Sequence, residues 1–489
     1  MVSSFSADEF YKQEERIKLE RKYISITEVT EVTEVFDRKS VSFQLSKKGK
    51  LHRWLKYKEG FSAELVEVLL NEFSIKRGDV ILDPFLGSGT TALVSAIKGI
   101  NSIGFDILPT SQIAVDAKKS MFQYDIEELR KLLNDIRTIA IPNSYKRKVN
   151  SIKITDFAYP EKTDIEIAFL TDYFAKSNYS DISKNLIVLC ILNSLERISY
   201  SAKDGQYLRW DYRSPKIIKA EQNRLKTGKK PFATKLDKGE LPSLRSILES
   251  EMATLIYDIE EIQLESNDTF KNTTVSLTVG SALFELPKME SGIIDGVITS
   301  PPYCNRYDYT RTYALELVYL GANEIGIRSL RQELLSCTVE SKTKIERLKE
   351  HYYSLGRGTD FENIHDIIKN NAVLNEINNA LISRNANGDI NNKGVLKMVD
   401  GYFTELGFIY AEIFRVCKSG AKVAFVNDNV RYGGEVIPVD FLSTEIAENL
   451  GFILVKIYTL KQLKGNSSQQ MAKYGRIPLR KSITIWQKP

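Results

Sequence analysis

Cysteine and histidine are scarce in this 489-residue chain, with four of the first and three of the second. Cys190, Cys304, Cys337 and Cys417 form no CxxC pair and the histidines are as dispersed, which excludes a structural zinc site of the usual ligand spacing. Scattered thiols of this kind suit a reducing compartment. No apolar run approaches the ~18 residues that a bilayer span requires. The opening MVSSFSADEFYKQEERIKLERKY is too charged for a signal peptide. The expectation is a cytoplasmic protein without bound metal or membrane contact.

What remains is ordinary globular material: 43% hydrophobic and 27% charged residues, and enough length for more than one core. The net charge of +5 permits nucleic-acid binding without demanding it. Its distribution is more telling. Residues 216–238 carry Lys216, Lys219, Arg224, Lys226, Lys229, Lys230, Lys235 and Lys238 against two acids, a composition that also suits a solvated surface.

Along the chain, a charged helix and a β-prone TEV-rich segment precede GFSAELVEVLLNEFSI, which has helical apolar spacing and Ser62 as its N-cap. A buried strand, VILDPF, leads through LGSGTT into the helix ALVSAIKG and a second strand, SIGFDI. Strand, glycine-rich turn, helix, strand is the βαβ unit of a doubly wound α/β sheet. Helical periodicity then dominates about 125–274, strands return at VSLTVG and GIIDGVITS, and a second helical stretch fills about 324–394. The sheet resumes with a helix stopping at Ser419-Gly420, strand KVAFVND, a helix, strand FILVKIYTL, a polar loop and strand SITIWQ. The last two strands are expected to form an antiparallel edge.

Two motifs carry chemistry. Asp83-Pro84-Phe85-Leu86-Gly87-Ser88-Gly89-Thr90-Thr91 sits at a strand-to-helix turn, where glycines let backbone approach a ligand and the helix start offers free N–H groups. It lacks both the GxGxxG spacing and a following GK[ST]. Asp106 closes the next strand, where a carboxylate accepts from ribose hydroxyls, so an adenosine-containing ligand is expected whatever its other half. Thr299-Ser300-Pro301-Pro302-Tyr303 follows the apolar strand GIIDGVI. Two prolines cannot continue a central strand and fix its carboxyl end rigidly, at the edge where open α/β sheets bind ligands. Alone, the tetrapeptide also fits a plain turn.

Together, DPFLGSGTT and TSPPY resemble the amino-methyltransferases that modify cytosine N4 or adenine N6 in DNA. The runs HRWLKYKEGFSAELVEVLL and SPPYCNRYDYTRTYALELVYLG resemble one branch of site-specific DNA methylases. The resemblance covers about 50–120, 275–325 and 395–489. It implies a Rossmann-like, mostly parallel methyltransferase sheet with two largely helical insertions, and S-adenosylmethionine as cofactor. Asp83, Phe85, Gly87 and Gly89 match the family's cofactor loop, Asp106 its ribose-binding acid, and Phe61 a region that closes over the cofactor. Ser281 stands where the family often has an aspartate against the adenine. Ser300, Pro301, Pro302 and Tyr303 match the catalytic tetrad. The Pro-Cys nucleophile of cytosine-C5 enzymes is absent, and Cys304 reads as structural.

An exocyclic base amine is a poor nucleophile because its lone pair is delocalised into the ring. Hydrogen bonds from it to Ser300 and the Pro301 carbonyl would aim that pair at the methyl donor, with the base flipped from double-stranded DNA against Tyr303. Serine at the first tetrad position leans toward N4-methylcytosine and aspartate toward N6-methyladenine. Target recognition is expected in the first insertion, where Tyr207, Arg209, Trp210 and Tyr212 accompany Arg224, Lys226, Lys229 and Lys230. The aromatic cluster equally suits the insertion's own core. The second insertion, nearly charge-balanced, suits a DNA clamp or a partner contact.

The expected division is an N-terminal extension (1–45), a cofactor-binding half (46–124), the first insertion (125–274), the SPPY segment (275–323), the second insertion (324–394) and the C-terminal half (395–489). No nuclease signature appears, so a restriction endonuclease or other defence subunit would be a separate chain. Three alternatives stay open. An adenine-N6 enzyme shares the motifs. A guanine-N2 RNA methyltransferase usually has Asp before the prolines. A non-catalytic subunit commonly loses one motif.

Overall fold

A computed structural model of the chain describes residues 13–26, 30–33, 35–37, 39–42, 44–45, 49–203, 208–265, 270, 272–460, 472–475 and 477–489. Among these residues there are twelve strands: β1 (Thr30–Thr33), β2 (Val80–Asp83), β3 (Asn101–Asp106), β4 (Ser201–Lys203), β5 (Leu208–Trp210), β6 (Val275–Val279), β7 (Ile294–Thr299), β8 (Cys417–Asp428), β9 (Val430–Tyr432), β10 (Glu435–Ile437), β11 (Ile453–Leu460) and β12 (Lys481–Gln487). Eight of them form one sheet in the order β1-β11-β12-β8-β7-β2-β3-β6. All its pairs are parallel except β11–β12 and β12–β8, so the last two strands do pair antiparallel, but they are not the edge expected of them: β12 is inserted between β11 and β8, and β1 adds outside β11.

Alternation along the central strands explains why both faces are covered. Leu82, Val297, Val423, Phe425 and Trp486 point into one core, while Ile81, Ile298, Ala424, Val426 and Ile485 point into the other. The helix Ala63–Glu72 lies on the second face and buries Leu65, Val66, Leu69 and Leu70 there. Ser62 is its N-cap, with the side chain accepting from the Leu65 N–H, a bond worth about 1 kcal/mol at such positions. On the first face the long helix Gly394–Val416 packs with the helices Ile345–Ser354, Gly358–Lys369 and Ala372–Ala386 of the second insertion.

The first insertion does not stand apart. Leu129, Leu186, Leu189, Leu248 and Ile259 share a single core with Leu93, Ala96, Ala114 and Ala117 of the helices beside β2 and β3. Some boundaries depart from the sequence pattern. The helix stops at Val416 and the chain passes directly into β8, because Cys417 pairs with Ile294 across a register shift. Ser419-Gly420 therefore lies inside a strand, with Gly420 in the left-handed region. β2 ends at Asp83, so Pro84-Phe85 already belong to the turn. The β9–β10 hairpin, turned by Gly433-Gly434, has three residues in each strand, too few for a period to be read. Among the described residues no helix is long and apolar enough to cross a membrane.

Candidate active site

β2 and β7 are adjacent, and the chain leaves them in opposite directions, β2 toward β3 and β7 toward β8. This is a topological switch point, where open α/β sheets bind ligands outside the carboxyl ends of the strands. Both motifs end there. Asp83, the last residue of β2, is buried and accepts from the Thr299 hydroxyl of β7 (2.6 Å) and from the Phe85 N–H (3.1 Å). The bond ties one motif to the other. Burial pushes the Asp83 carboxyl up to about 6.

A cavity of about 810 Å³, open space at its mouth included, lies at this point. Phe61, Pro84, Phe85, Gly87, Ser88, Thr90, Asp106 and Ser281 line it, together with Tyr57, Glu59, Leu108 and Leu283. Asp106 at the end of β3 accepts from the Gly87 N–H (2.7 Å) and the Leu108 N–H (2.8 Å), and burial raises its carboxyl to about 6. Gly87 has φ +55°, and a Cβ there would come within 2.8 Å of the Tyr57 ring, so only glycine lets the loop pass under that ring. The buried Lys118, lowered to about 7 by desolvation, donates to the Ser88 carbonyl (2.6 Å) and holds the loop from behind.

Three expected cofactor residues do not line the cavity. Asp83 faces Thr299, Gly89 packs against Val115, and the Thr91 hydroxyl reaches the Ile298 carbonyl (3.4 Å). They support the wall from outside.

A second cavity of about 850 Å³ adjoins the first and is lined by Ser300, Pro301, Tyr303, Asn305, Tyr307, Asp428 and Lys481 among others. Glu59, Gly60, Ser300 and Tyr309 line both. Pro302 faces the first cavity. The Ser300 hydroxyl lies 3.2 Å from both the Val426 carbonyl and the Tyr303 hydroxyl. With its hydrogen directed to the carbonyl, its lone pairs are left to accept from a ligand. The Lys481 ammonium is 5.0 Å from the Tyr303 ring centroid. Cys304 is fully buried and its thiol is pushed up by burial.

The wall between the two cavities went largely unread in the sequence. Tyr57 stacks on Tyr313 at 5.6 Å, and the Glu59 carboxylate accepts from the Tyr307 and Tyr313 hydroxyls. The first insertion fixes this segment: buried Asp258 accepts from Arg53 and from the Trp54 indole N–H (3.0 Å), and Asn193 donates to the Trp54 carbonyl (2.6 Å). From the far side, Leu334, Leu335 and Ile409 complete the first cavity, placed by Glu405, which accepts from the Ser336 N–H (2.9 Å) and Lys344 (2.8 Å). The one available signal was the KYKEG run just before Phe61.

Of the residues expected to contact DNA, Arg209 and Trp210 lie on β5, Arg224 and Lys226 on the helix Pro215–Lys226, and Lys229 and Lys230 just beyond it. Tyr207 falls outside the described residues.

The sequence pattern of the DNA methylase family that spans N6 and N4 enzymes matches residues 5–114. The Type II methyltransferase M.BsoBI of Geobacillus stearothermophilus is 56% identical over all of this chain and 95% of its own length. The Type II methyltransferase M.AvaI of Anabaena variabilis is 38% identical over 93% of this chain and 90% of its own. The Type II methyltransferase M.MjaII of Methanocaldococcus jannaschii is 44% identical over 81 residues, 16% of this chain.

Proposed function

The chain belongs to the N4/N6 DNA methylase family of Type II methyltransferases, and from that premise we propose that it methylates cytosine N4 in duplex DNA, with S-adenosylmethionine as donor and the target base flipped out of the helix. The observation that carries the reading is the wall shared by the two cavities, with Ser300 in it.

The residues of the first cavity fit an adenosine-bearing sulfonium. Asp106 keeps lone pairs for ribose hydroxyls beyond the two N–H groups it already accepts. Phe61, Leu108 and Leu283 offer apolar surface, Ser281 a small polar contact at the adenine end, and the loop from Pro84 to Thr90 backbone to the methionine part. When bound, S-adenosylmethionine supplies an electrophilic methyl group. No metal or covalent enzyme intermediate is called for.

Everything else falls to the chain's own groups. Ser300, its hydrogen given to Val426, accepts one N–H of the base amine, and the Pro301 carbonyl accepts the other. Both bonds draw electron density to the nitrogen and orient its lone pair toward the first cavity. Tyr303 stacks on the base, and the rigid double proline fixes the spacing. Catalysis is then positioning and desolvation: as the nitrogen–methyl bond forms the sulfur–methyl bond would break, the donor would leave as the neutral thioether, and the surplus amine proton would pass to solvent. Serine, rather than aspartate, before the prolines supports cytosine as the target.

The test is transfer of labelled methyl groups from S-adenosylmethionine to unmethylated duplex DNA. Ser300→Ala should keep cofactor affinity and lose ~10²-fold in rate, the usual scale for removing one positioning hydrogen bond. Label appearing in transfer RNA and none in DNA would overturn the proposed substrate.

A further inference from the structure

The helix Pro215–Lys226 buries no residue, whereas every other described helix of eight residues or more buries at least one. A twelve-residue helix in water is marginal by itself, so one that rests on the fold only through half-buried residues such as Ile217 and Ala220 needs another reason to persist. Its start is well made: Ser214 caps it and Pro215 opens it. Of its apolar residues, Ile218 and Leu225 are exposed and Ile217 is only half-buried.

Its cations are clustered. Exposed cations elsewhere either pair with acids, as Lys18 does with Glu15 and Arg137 with Glu249, or stand singly without a carboxylate partner among the described residues, as Lys76, Lys98 and Lys162 do. Lys219, Lys226, Lys229 and Lys230 are exposed and have no carboxylate partner among the described residues. Lys219, Gln222, Asn223 and Lys226 stand at i, i+3, i+4 and i+7, a single face of the helix. That face combines cations for phosphates with two amide side chains of the kind that read adenine edges bidentately.

The arm carrying this helix is connected to the wall shared by the two cavities through a series of contacts. Buried Asp211 accepts from Arg213 (2.8 Å) and from the Lys238 N–H (2.7 Å), pinning the two ends of the 212–237 segment together. Lys216 holds the helix start to the Lys153 carbonyl (2.8 Å) and lies 4.3 Å from the Trp210 ring centroid on β5. β5 pairs with β4, whose Lys203 lies 4.1 Å from the ring centroid of Tyr313. Tyr313 in turn donates to Glu59 in the wall shared by the two cavities.

We propose that Pro215–Lys226 is a DNA-reading helix that enters the major groove, with Lys219, Lys226, Lys229 and Lys230 on phosphates and Gln222 and Asn223 on base edges. The assignment rests on the DNA methyltransferase reading above and goes beyond it by naming the surface that chooses the sequence. Charge complementarity selects duplex DNA as the occupant, and the groove's width admits one helix.

The test uses the full chain, without cofactor, in a binding titration over a salt series. The probes are a duplex holding the mapped methylation site and a duplex lacking it. Replacing the four lysines by alanine should weaken both duplexes alike and flatten log K against log salt by about 0.9 per lost phosphate contact. Gln222→Ala with Asn223→Ala should leave that slope unchanged and cost ~10-fold or more on the site-containing duplex alone. Thermal unfolding should be unchanged in both variants, since no mutated side chain is buried. Wild-type DNA binding with both variants indistinguishable from it would overturn this assignment while leaving the enzymatic reading intact. Absence of DNA binding by the wild type, with tight binding of structured RNA, would overturn both.

Discussion

Asp106 holds the glycine loop through the Gly87 N–H and its own following turn through the Leu108 N–H, and it does so with a carboxyl raised to about 6 by burial. A carboxyl whose native pKa lies above its unfolded value contributes stability at low pH that is lost as pH rises through the native pKa. Asp83 behaves alike. The cofactor-free protein should therefore lose stability between pH about 4 and about 6 from these two groups. Cofactor affinity should run the other way, rising through pH about 6 as Asp106 ionises and becomes a full acceptor for ribose hydroxyls. Calorimetric titration between pH 5 and 8 checks the sign, and Asp106→Asn should flatten the curve and weaken binding at pH 8. Gly87→Ala forces an L residue to φ +55° with its Cβ against Tyr57. It should cost more than ~1 kcal/mol in thermal unfolding and lower cofactor affinity. At this scale the sequence was informative wherever a residue's role is local. Ser62 caps its helix, and Asp106 and most of the loop line one cavity. Tyr57 and Glu59 were illegible because their partners, Tyr313 and Tyr307, lie more than two hundred residues away.

Elements show the same division between local and distant causes. The βαβ opening could be read from its glycine turn and apolar runs, and the N-terminal TEV segment read as β-prone. That this segment pairs parallel to β11, at the far edge of the sheet, depends on a contact no local pattern encodes. Nor could periodicity show what the first insertion's long helix Leu244–Leu264 does for the site. Its buried Asp258 receives Arg53 and the Trp54 indole, and so fixes the segment that runs on to Tyr57, Glu59 and Phe61. Asp258→Ala leaves the Trp54 N–H without its acceptor. The loss of a charged hydrogen-bond partner should cost ~1.5–3 kcal/mol of stability. Because the cavity wall hangs on this anchor, cofactor affinity should fall as well, although Asp258 does not line the cavity. Melting temperature and cofactor titration on the same variant check both effects.

For the whole molecule, the switch point between β2 and β7 brings together two motifs separated by the entire first insertion. Each motif was visible as a strand end, but their adjacency follows from the strand order. The Thr299–Asp83 bond is its direct consequence. Residues from both helical stretches reach the cavities: Asp258 holds the segment around Tyr57 and Glu59, and Leu334 and Leu335 line the first cavity. The resulting arrangement is two adjoining cavities with Ser300 in the wall they share. The most direct measurement is to incubate the purified protein with unmethylated duplex DNA and S-adenosylmethionine, digest to nucleosides and identify the product by mass spectrometry. N4-methylcytosine is the expected product, lost with Ser300→Ala. N6-methyladenine as the product would contradict the assignment of the base, and an unmodified digest would contradict the proposed activity.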